Sequence, residues 1–381
     1  MSQSRGRPRP KARSTAEPPF SGRISRLRRV VRAKGLDALL ITNANDIRYL
    51  TGFSGEDSWA IVTVGGAPGL VVISDFRFQE ELAALVPPVR TLIRKGAITQ
   101  AAIGLVRDLR LARIGLQAEY LTVATRAALS EGIGAKRVSD SVGLLDGLRV
   151  IKDEAEQAII RKAVRVQEGA MQEVRGLIRP GMKESLVAAM LDFAMKSRGA
   201  DSTSFETNVS AQANGSKPHH RPDDTKLKRN SPLLIDWGAR VQGYCSDMTR
   251  SFHLGRWSPV MREVYKVVLD AHLAGIDAVR PGATGREVDA VARAVIDRAG
   301  YADKFGHGLG HGIGINIHES PRLASVSDTV LRPGMVVTIE PGIYLPGVGG
   351  VRIEDDIVVT DRGRRNLCSL PKDLHWATIH G

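Results

Sequence analysis

Two rhythms divide the chain. Over residues 36–150, short apolar runs alternate with amphipathic stretches. DALLIT (37–42), IVTV (61–64), LVVIS (70–74) and RIGLQ (113–117) have the length and branched apolar content of buried strands. FRFQEELAAL (76–85) and TVATRAALSEGI (122–133) read as helices. The alternation predicts a small α/β domain over 21–150. From Ile151 the period lengthens to that of helices. Residues 152–178 form a long amphipathic pattern that stops at Pro180-Gly181, and 184–199 carry a second one. About a hundred residues later the phrase returns as 262–282 and 286–300. Both copies read helix, Arg-Pro-Gly, helix, with the tripeptide at 179–181 and 280–282. The recurrence predicts a duplicated, pseudo-symmetric domain over 151–381. Each half ends in β structure, and a shared site is expected between the halves.

The β segments of that domain carry its most unusual charges. In SPLLIDWGARVQGYCSDMTRSFHLG (231–255), two apolar stretches flank a turn. A turn centred between Val241 and Gln242 sets Asp236 directly opposite Asp247. In MVVTIEPGIYLPGVGGVRIEDDIVV (335–359), a hairpin centred on Gly347 sets Glu340 opposite Glu354. Like charges facing across strands destabilise the pair, and burial raises the cost by several kcal/mol. Divalent cations between the carboxylates remove that objection. Between the hairpins lies KFGHGLGHGIGINIHESP (304–321), whose five alternate glycines exclude a stable helix. Period-two geometry places His307, Leu309, His311 and Ile313 on one face and glycines on the other. Four carboxylates bring a charge of −4, which two divalent ions neutralise. The donor set is oxygen-rich with one histidine, which suits Mn²⁺, with Co²⁺ or Zn²⁺ as alternatives. The residues alone therefore point to a dinuclear metallohydrolase working through a metal-bridging hydroxide.

Composition adds limits. The 381 residues carry a net charge of +13, which by itself suggests a polyanionic partner. However, residues 1–35 hold eleven basic residues against one acid, Glu17, so the excess sits in an N-terminal segment and the remainder is nearly balanced. Residues 1–20 are expected to form a disordered basic arm. No run is apolar and long enough for a membrane helix, and the stretch Trp59 to Ser74, broken by Gly65, Gly66, Pro68 and Gly69, reads as a hairpin. No apolar core follows the basic N-terminus, so a secretory signal is not expected and a cytoplasmic location is. Cys245 and Cys368 do not make a disulfide framework. All nine histidines lie at 219 or beyond, which places the chemistry downstream of the first domain.

Taken together, IDWGARVQGYCSDMTRSF (235–252), HGLGHGIGINIHESP (307–321), TIEPGIY (338–344) and VRIEDD (351–356) resemble the successive motifs of the pita-bread metallopeptidases. The branch they are most similar to is the proline-specific one of aminopeptidase P and prolidase. The resemblance covers roughly 36–381, and NDIRYLTGFSG (45–55) looks like a signature of the family's creatinase-type N-terminal domain. It implies an α+β fold: a pseudo-symmetric, duplicated pita-bread (creatinase/aminopeptidase-like) catalytic domain behind a smaller α/β domain. Carried over, it implies that Asp236 holds one metal, that Asp247 and Glu354 bridge both, and that His311 and Glu340 complete the second. KPHHRP (217–222) matches a segment holding a catalytic histidine, which points to His219 with His220 as the neighbouring competitor. His307 and His318 match histidines that contact substrate and stabilise the tetrahedral intermediate. Arg352 matches an orienting arginine, and Glu340 is also implied as the proton carrier. The implied reaction is hydrolysis of the Xaa-Pro bond in dipeptides or at the N-terminus of peptides, by a homodimer, with no membrane or nucleic-acid partner.

Three rivals share the fold. Methionine aminopeptidase generally lacks a domain like 21–150, and creatinase lacks this ligand set. A non-enzymatic relative that binds protein or nucleic acid typically loses ligands, whereas all five are present here. Aminopeptidase P and prolidase stay unseparated at this stage.

Overall fold

A computed structural model describes residues 19–66, 68–85 and 89–380. The arm expected over 1–20 thus lies outside the described residues except for its last two. The chain divides between Leu148 and Arg149 into two compact units.

The first unit is built on a six-stranded sheet in the order Arg90–Ile93, Leu70–Ser74, Trp59–Thr63, Ala38–Ile41, Ile114–Gln117, Val138–Ser141. Trp59–Thr63 and Leu70–Ser74 form the expected antiparallel hairpin. Ala38–Ile41, Ile114–Gln117 and Val138–Ser141 run parallel, and every residue of the first two is buried. That burial explains why they read as continuous apolar runs. The helix expected over 76–85 is shorter, a 3₁₀ turn at Phe76–Phe78 followed by Gln79–Ala83. The helix Pro19–Ala33 was not anticipated. Three of its five arginines are docked on the domain. Arg23 donates to the Tyr49 carbonyl at 3.0 Å and stacks on the Tyr49 ring, while Arg28 and Arg32 donate to the Val64 carbonyl at 3.0 and 3.1 Å. Part of the basic N-terminal segment therefore clamps the helix to its own domain.

In the second unit the four predicted helices are Glu154–Arg175, Glu184–Ser197, Pro259–Ala278 and Gly285–Arg298. Asp153 with Glu156, and Thr284 with Glu287, form capping boxes that fix two of their starts. The duplication is visible in hydrogen bonds. Gly181 donates to the Leu227 carbonyl at 2.8 Å and Leu227 returns a bond to Met182 at 2.8 Å. Gly282 donates to Leu331 at 2.9 Å and Leu331 returns one to Ala283 at 2.7 Å. Gly181 and Gly282 have matching φ values of 91° and 89°, a region that favours glycine. Each helical hairpin covers its own sheet. The first sheet runs in the order Thr378–Ile379, Met248–Leu254, Ser231–Trp237, Asn208–Ala211; the second runs Glu319–Leu323, Gly310–Gly312, Val336–Ile339, Asp355–Thr360, Gly363–Asn366. Two apolar cores result, one around Trp237, Phe252 and Met195, the other around Val268, Val337 and Ile357.

Candidate metal centre

The first hairpin places Asp236 two residues away from the expected pairing. Its turn is centred between Gln242 and Gly243, which have φ values of 48° and 80°, as a two-residue turn of matching twist requires. The register therefore sets Thr249 opposite Asp236, and Asp247 is its diagonal neighbour on the same face. The second hairpin keeps the expected register along its whole length. Val336 to Ile339 pair with Val358 to Asp355, and Gly342 to Leu345 pair with Arg352 to Gly349. Glu340 and Glu354 fall between these two ladders. Their amides turn away from each other, that of Glu340 to the Leu309 carbonyl at 2.8 Å and that of Glu354 to the Thr249 carbonyl at 3.1 Å.

The segment 304–321 is not one continuous strand. Gly310–Gly312 is a short strand with a bulge after His311, the next strand starts only at Glu319, and 307–309 lie outside both, so the shared face expected for 307–313 breaks down. Leu309 and Ile313 are fully buried, while His307 and His311 line a cavity of about 470 Å³. The glycines serve backbone packing: a Cβ at Gly310 would stand 2.0 Å from the Thr338 carbonyl oxygen, and one at Gly312 would stand 2.2 Å from that of Ser320.

That cavity brings together all five expected ligands, Asp236, Asp247, His311, Glu340 and Glu354, along with His219, His220, His307, His318 and Arg352. Ligand atoms of Asp247, His311 and Glu354 lie within 4.8 Å of one another. His311 Nε2 stands 3.6 Å from Asp247 Oδ2 and 3.4 Å from Glu340 Oε1. Its Nδ1 lies 3.0 Å from the Gly312 carbonyl, which takes the ring proton and turns the Nε2 lone pair toward the carboxylates. Burial holds the His311 pKa down to about 4, so the ring is neutral at pH 7.

The carboxylates are frustrated by one another. Burial, then repulsion from Glu354 and Asp236, holds Asp247 well above the usual range. Burial, then Glu340 and Asp236, does the same to Glu354. Burial pushes Glu340 up to about 7 against the opposing pull of Arg352. Asp236 Oδ2 accepts from Arg352 Nη2 at 2.5 Å, but its buried Oδ1 has no hydrogen-bond partner among the described residues. A neutral imidazole lone pair facing carboxylates, next to an orphaned carboxylate oxygen, is the donor set of a cation site. Residues and chemistry fit a divalent metal.

The histidines differ in commitment. His220 Nε2 lies 2.7 Å from Glu184 Oε2, whose side chain is 0% exposed. His219 is exposed on the wall of the cavity that Asp236, His307 and His318 also line. His318 meets the His311 ring edge to face at 4.4 Å. Both nitrogens of His307 are engaged, Nδ1 with the Gly308 carbonyl at 2.8 Å and Nε2 with the Tyr344 hydroxyl at 2.8 Å. With Nδ1 donating to that carbonyl, Nε2 accepts from the Tyr344 hydroxyl.

Several residues escaped the sequence reading. Thr249 Oγ1 donates to Glu354 Oε2 at 2.7 Å and accepts from Arg352 Nε at 2.9 Å. Thr338 Oγ1 donates to Glu340 Oε1 at 3.2 Å. Tyr344 joins Arg352 to His307. Arg322 lies directly across the ladder from His311, lines the cavity and has no ion-pair partner among the described residues. Correct placement of the first turn would have found Thr249; Arg322 carries no spacing signal.

Residues 158–361 match the profile of Metallopeptidase family M24, and residues 23–151 match that of the Creatinase/Prolidase N-terminal domain. The "Uncharacterized peptidase YqhT" of Bacillus subtilis is 38% identical over 92% of this chain and 99% of its own. The structure of an Xaa-Pro dipeptidase from Bacillus anthracis superposes with a TM-score of 0.89 at 37% identity, covering 93% of this chain and 99% of that one. An X-Pro aminopeptidase from Thermotoga maritima gives 0.83 at 33% identity, covering 91% and 99%.

Proposed function

The chain belongs to metallopeptidase family M24, and from that membership we propose that it is a manganese-dependent Xaa-Pro dipeptidase. The observation that carries this reading is the convergence of four carboxylates and one neutral imidazole on a single cavity, with Arg352 hydrogen-bonded to Asp236. Two divalent ions match the charge of −4. Asp236 would hold one ion and His311 and Glu340 the other, with Asp247 and Glu354 shared. When bound, such ions supply Lewis acidity and a nucleophilic water near neutral pH.

The chain's own residues supply the rest. Thr249, Thr338 and Arg352 fix the carboxylate rotamers. Glu340, placed at the cavity beside Thr338 and His311, moves the proton between water and the departing proline nitrogen. His219 and His318 stand on the wall with no competing hydrogen bond among the described residues and can donate to the developing oxyanion. His307 and Tyr344 brace Arg352. The free guanidinium of Arg322 suits the carboxylate of a two-residue substrate, which favours a dipeptidase over an aminopeptidase acting on longer peptides.

The test compares kcat/KM for an Xaa-Pro dipeptide, an Xaa-Pro tripeptide and an Xaa-Ala dipeptide in the presence of Mn²⁺. The Xaa-Pro dipeptide should be preferred. Equal turnover of Xaa-Ala, or no hydrolysis with Mn²⁺, Co²⁺ or Zn²⁺, would sink the proposal; preference for the tripeptide would move it to the aminopeptidase.

A further inference from the structure

Alternate residues of a strand point to opposite faces, so Asp355 points away from the cavity into which Glu354 points. Asp355 is an acid with 0% exposure and a dense set of donors. Its Oδ1 accepts from Arg250 Nη2 at 2.7 Å; its Oδ2 accepts from Lys372 Nζ at 2.6 Å and Asn366 Nδ2 at 2.6 Å, and faces His272 Nε2 at 3.3 Å. Arg250 and His272 are also fully buried. The side chains of the metal carboxylates and of Thr249, Thr338 and Arg352 hydrogen-bond to none of these four groups.

The far ends of Arg250 and His272 show what the cluster does. Arg250 Nη1 donates to the Glu354 carbonyl at 2.6 Å and to the Thr249 carbonyl at 2.9 Å. His272 Nδ1 lies 3.0 Å from the carbonyl of Ile339, the residue before Glu340. The buried carboxylate thus orients Arg250 directly and contacts the His272 ring, and each of these two side chains reaches backbone at or beside a metal-ligating glutamate. The grip falls where the two ladders of the second hairpin stop and where carboxylate repulsion pushes hardest to separate the strands. Resting on the reading of the carboxylates as a metal centre, we propose that Asp355, through Arg250 and His272, is a positioning residue. It sets the spacing of Glu340 and Glu354 and hence the affinity for the ions, without touching them. Partners behind metal ligands typically change metal affinity by about 10–100-fold when removed.

The experiment is a Mn²⁺ titration of the full chain, by calorimetry or competition with a fluorescent chelator, for wild type, Asp355→Asn, His272→Gln and His272→Leu, with thermal unfolding of each metal-free protein. Asp355→Asn and His272→Leu should weaken Mn²⁺ binding by about 10–100-fold. His272→Gln, whose amide can still donate to the Ile339 carbonyl, should recover part of the loss. At saturating Mn²⁺, kcat should return toward wild type with KM for the dipeptide unchanged. A merely structural role would lower the unfolding temperature and leave Mn²⁺ affinity within twofold of wild type, which overturns the proposal. If Asp355→Asn does not fold, the two His272 variants decide by the same criterion. Failure of the wild type itself to bind Mn²⁺ would overturn the metal reading and this inference with it; normal wild-type binding with unchanged variants overturns this inference alone.

Discussion

His220 lies 2.7 Å from the buried carboxylate of Glu184, while its neighbour His219 stands exposed on the cavity wall. Glu184 also accepts from the Ala211 amide at 2.6 Å and from Asn214 Nδ2 at 3.1 Å, so it ties helix to strand and His220 to both. His219→Ala should lower kcat/KM by about 100-fold, the scale of one oxyanion or proton-transfer donor, with little change in stability. His220→Ala should instead cost about 1–3 kcal/mol of stability by leaving part of the Glu184 carboxylate unpaired. Parallel kinetics and thermal unfolding separate the two; the reverse pattern would reassign the catalytic ring.

Metal removal should be felt as a pH-dependent loss of stability. In the metal-free protein Asp247, Glu354 and Glu340 hold protons more tightly than they do in an unfolded chain, Glu340 up to about 7. The native state then binds more protons, so stability falls as pH rises from the usual carboxylate range through about 7. Bound cations take the protons' place and flatten the profile. The drop in unfolding temperature on adding a chelator should therefore be larger at pH 8 than at pH 5, and a pH-independent drop would contradict it.

Glu340→Gln keeps the shape of the side chain and removes its charge and its proton-carrying ability. Turnover of an Xaa-Pro dipeptide should fall by at least about 1,000-fold at saturating Mn²⁺, the scale of general acid–base catalysis and lost ligation combined. Activity within tenfold of wild type would remove Glu340 from the reaction.

Arg322→Met tests the carboxylate subsite. It should raise KM for an Xaa-Pro dipeptide by about tenfold or more, one lost charge-assisted contact, while leaving the dipeptide amide unaffected. An equal effect on both substrates would place the guanidinium elsewhere in the cycle.

Deletion of residues 1–18 should leave hydrolysis unchanged. The anchoring arginines Arg23, Arg28 and Arg32 and the buried Leu27 and Val31 all lie beyond the cut and hold the helix Pro19–Ala33 in place. A large fall in kcat/KM would show that the basic segment takes part in the enzyme.

Much of this was legible because strand pairing is arithmetic. The Glu340–Glu354 pairing followed from where the Gly/Pro turn sits, and the structure keeps that register. The same reasoning missed by one residue at the first turn, because Gln242 adopts a left-handed φ of 48° that sequence does not mark. The alternation from His307 to Ile313 fails because 307–309 lie outside the strand and a bulge after His311 breaks period two within it. Tyr344, Arg322 and His272 were illegible for a different reason. These residues act through tertiary contacts with segments distant in the chain, and their own neighbourhoods read as ordinary strand, turn or helix. The docked arginines were misjudged likewise, since a charge count cannot tell a solvated guanidinium from one spent on a carbonyl.

The unbroken register about Gly347 also limits how this hairpin can vary. Added length at the tip grows outward from Leu345 and Gly349, where Gly347 has nothing within 4 Å of an added Cβ and Val348 is 47% exposed. A single residue added between Glu340 and Gly342 is another matter, since a one-step slip turns every following side chain to the opposite face. Insertions in relatives should therefore collect at the tip and spare its stem. For an engineer the same rule marks Gly347 as the place to graft a peptide tag or a label while both glutamates keep their partners.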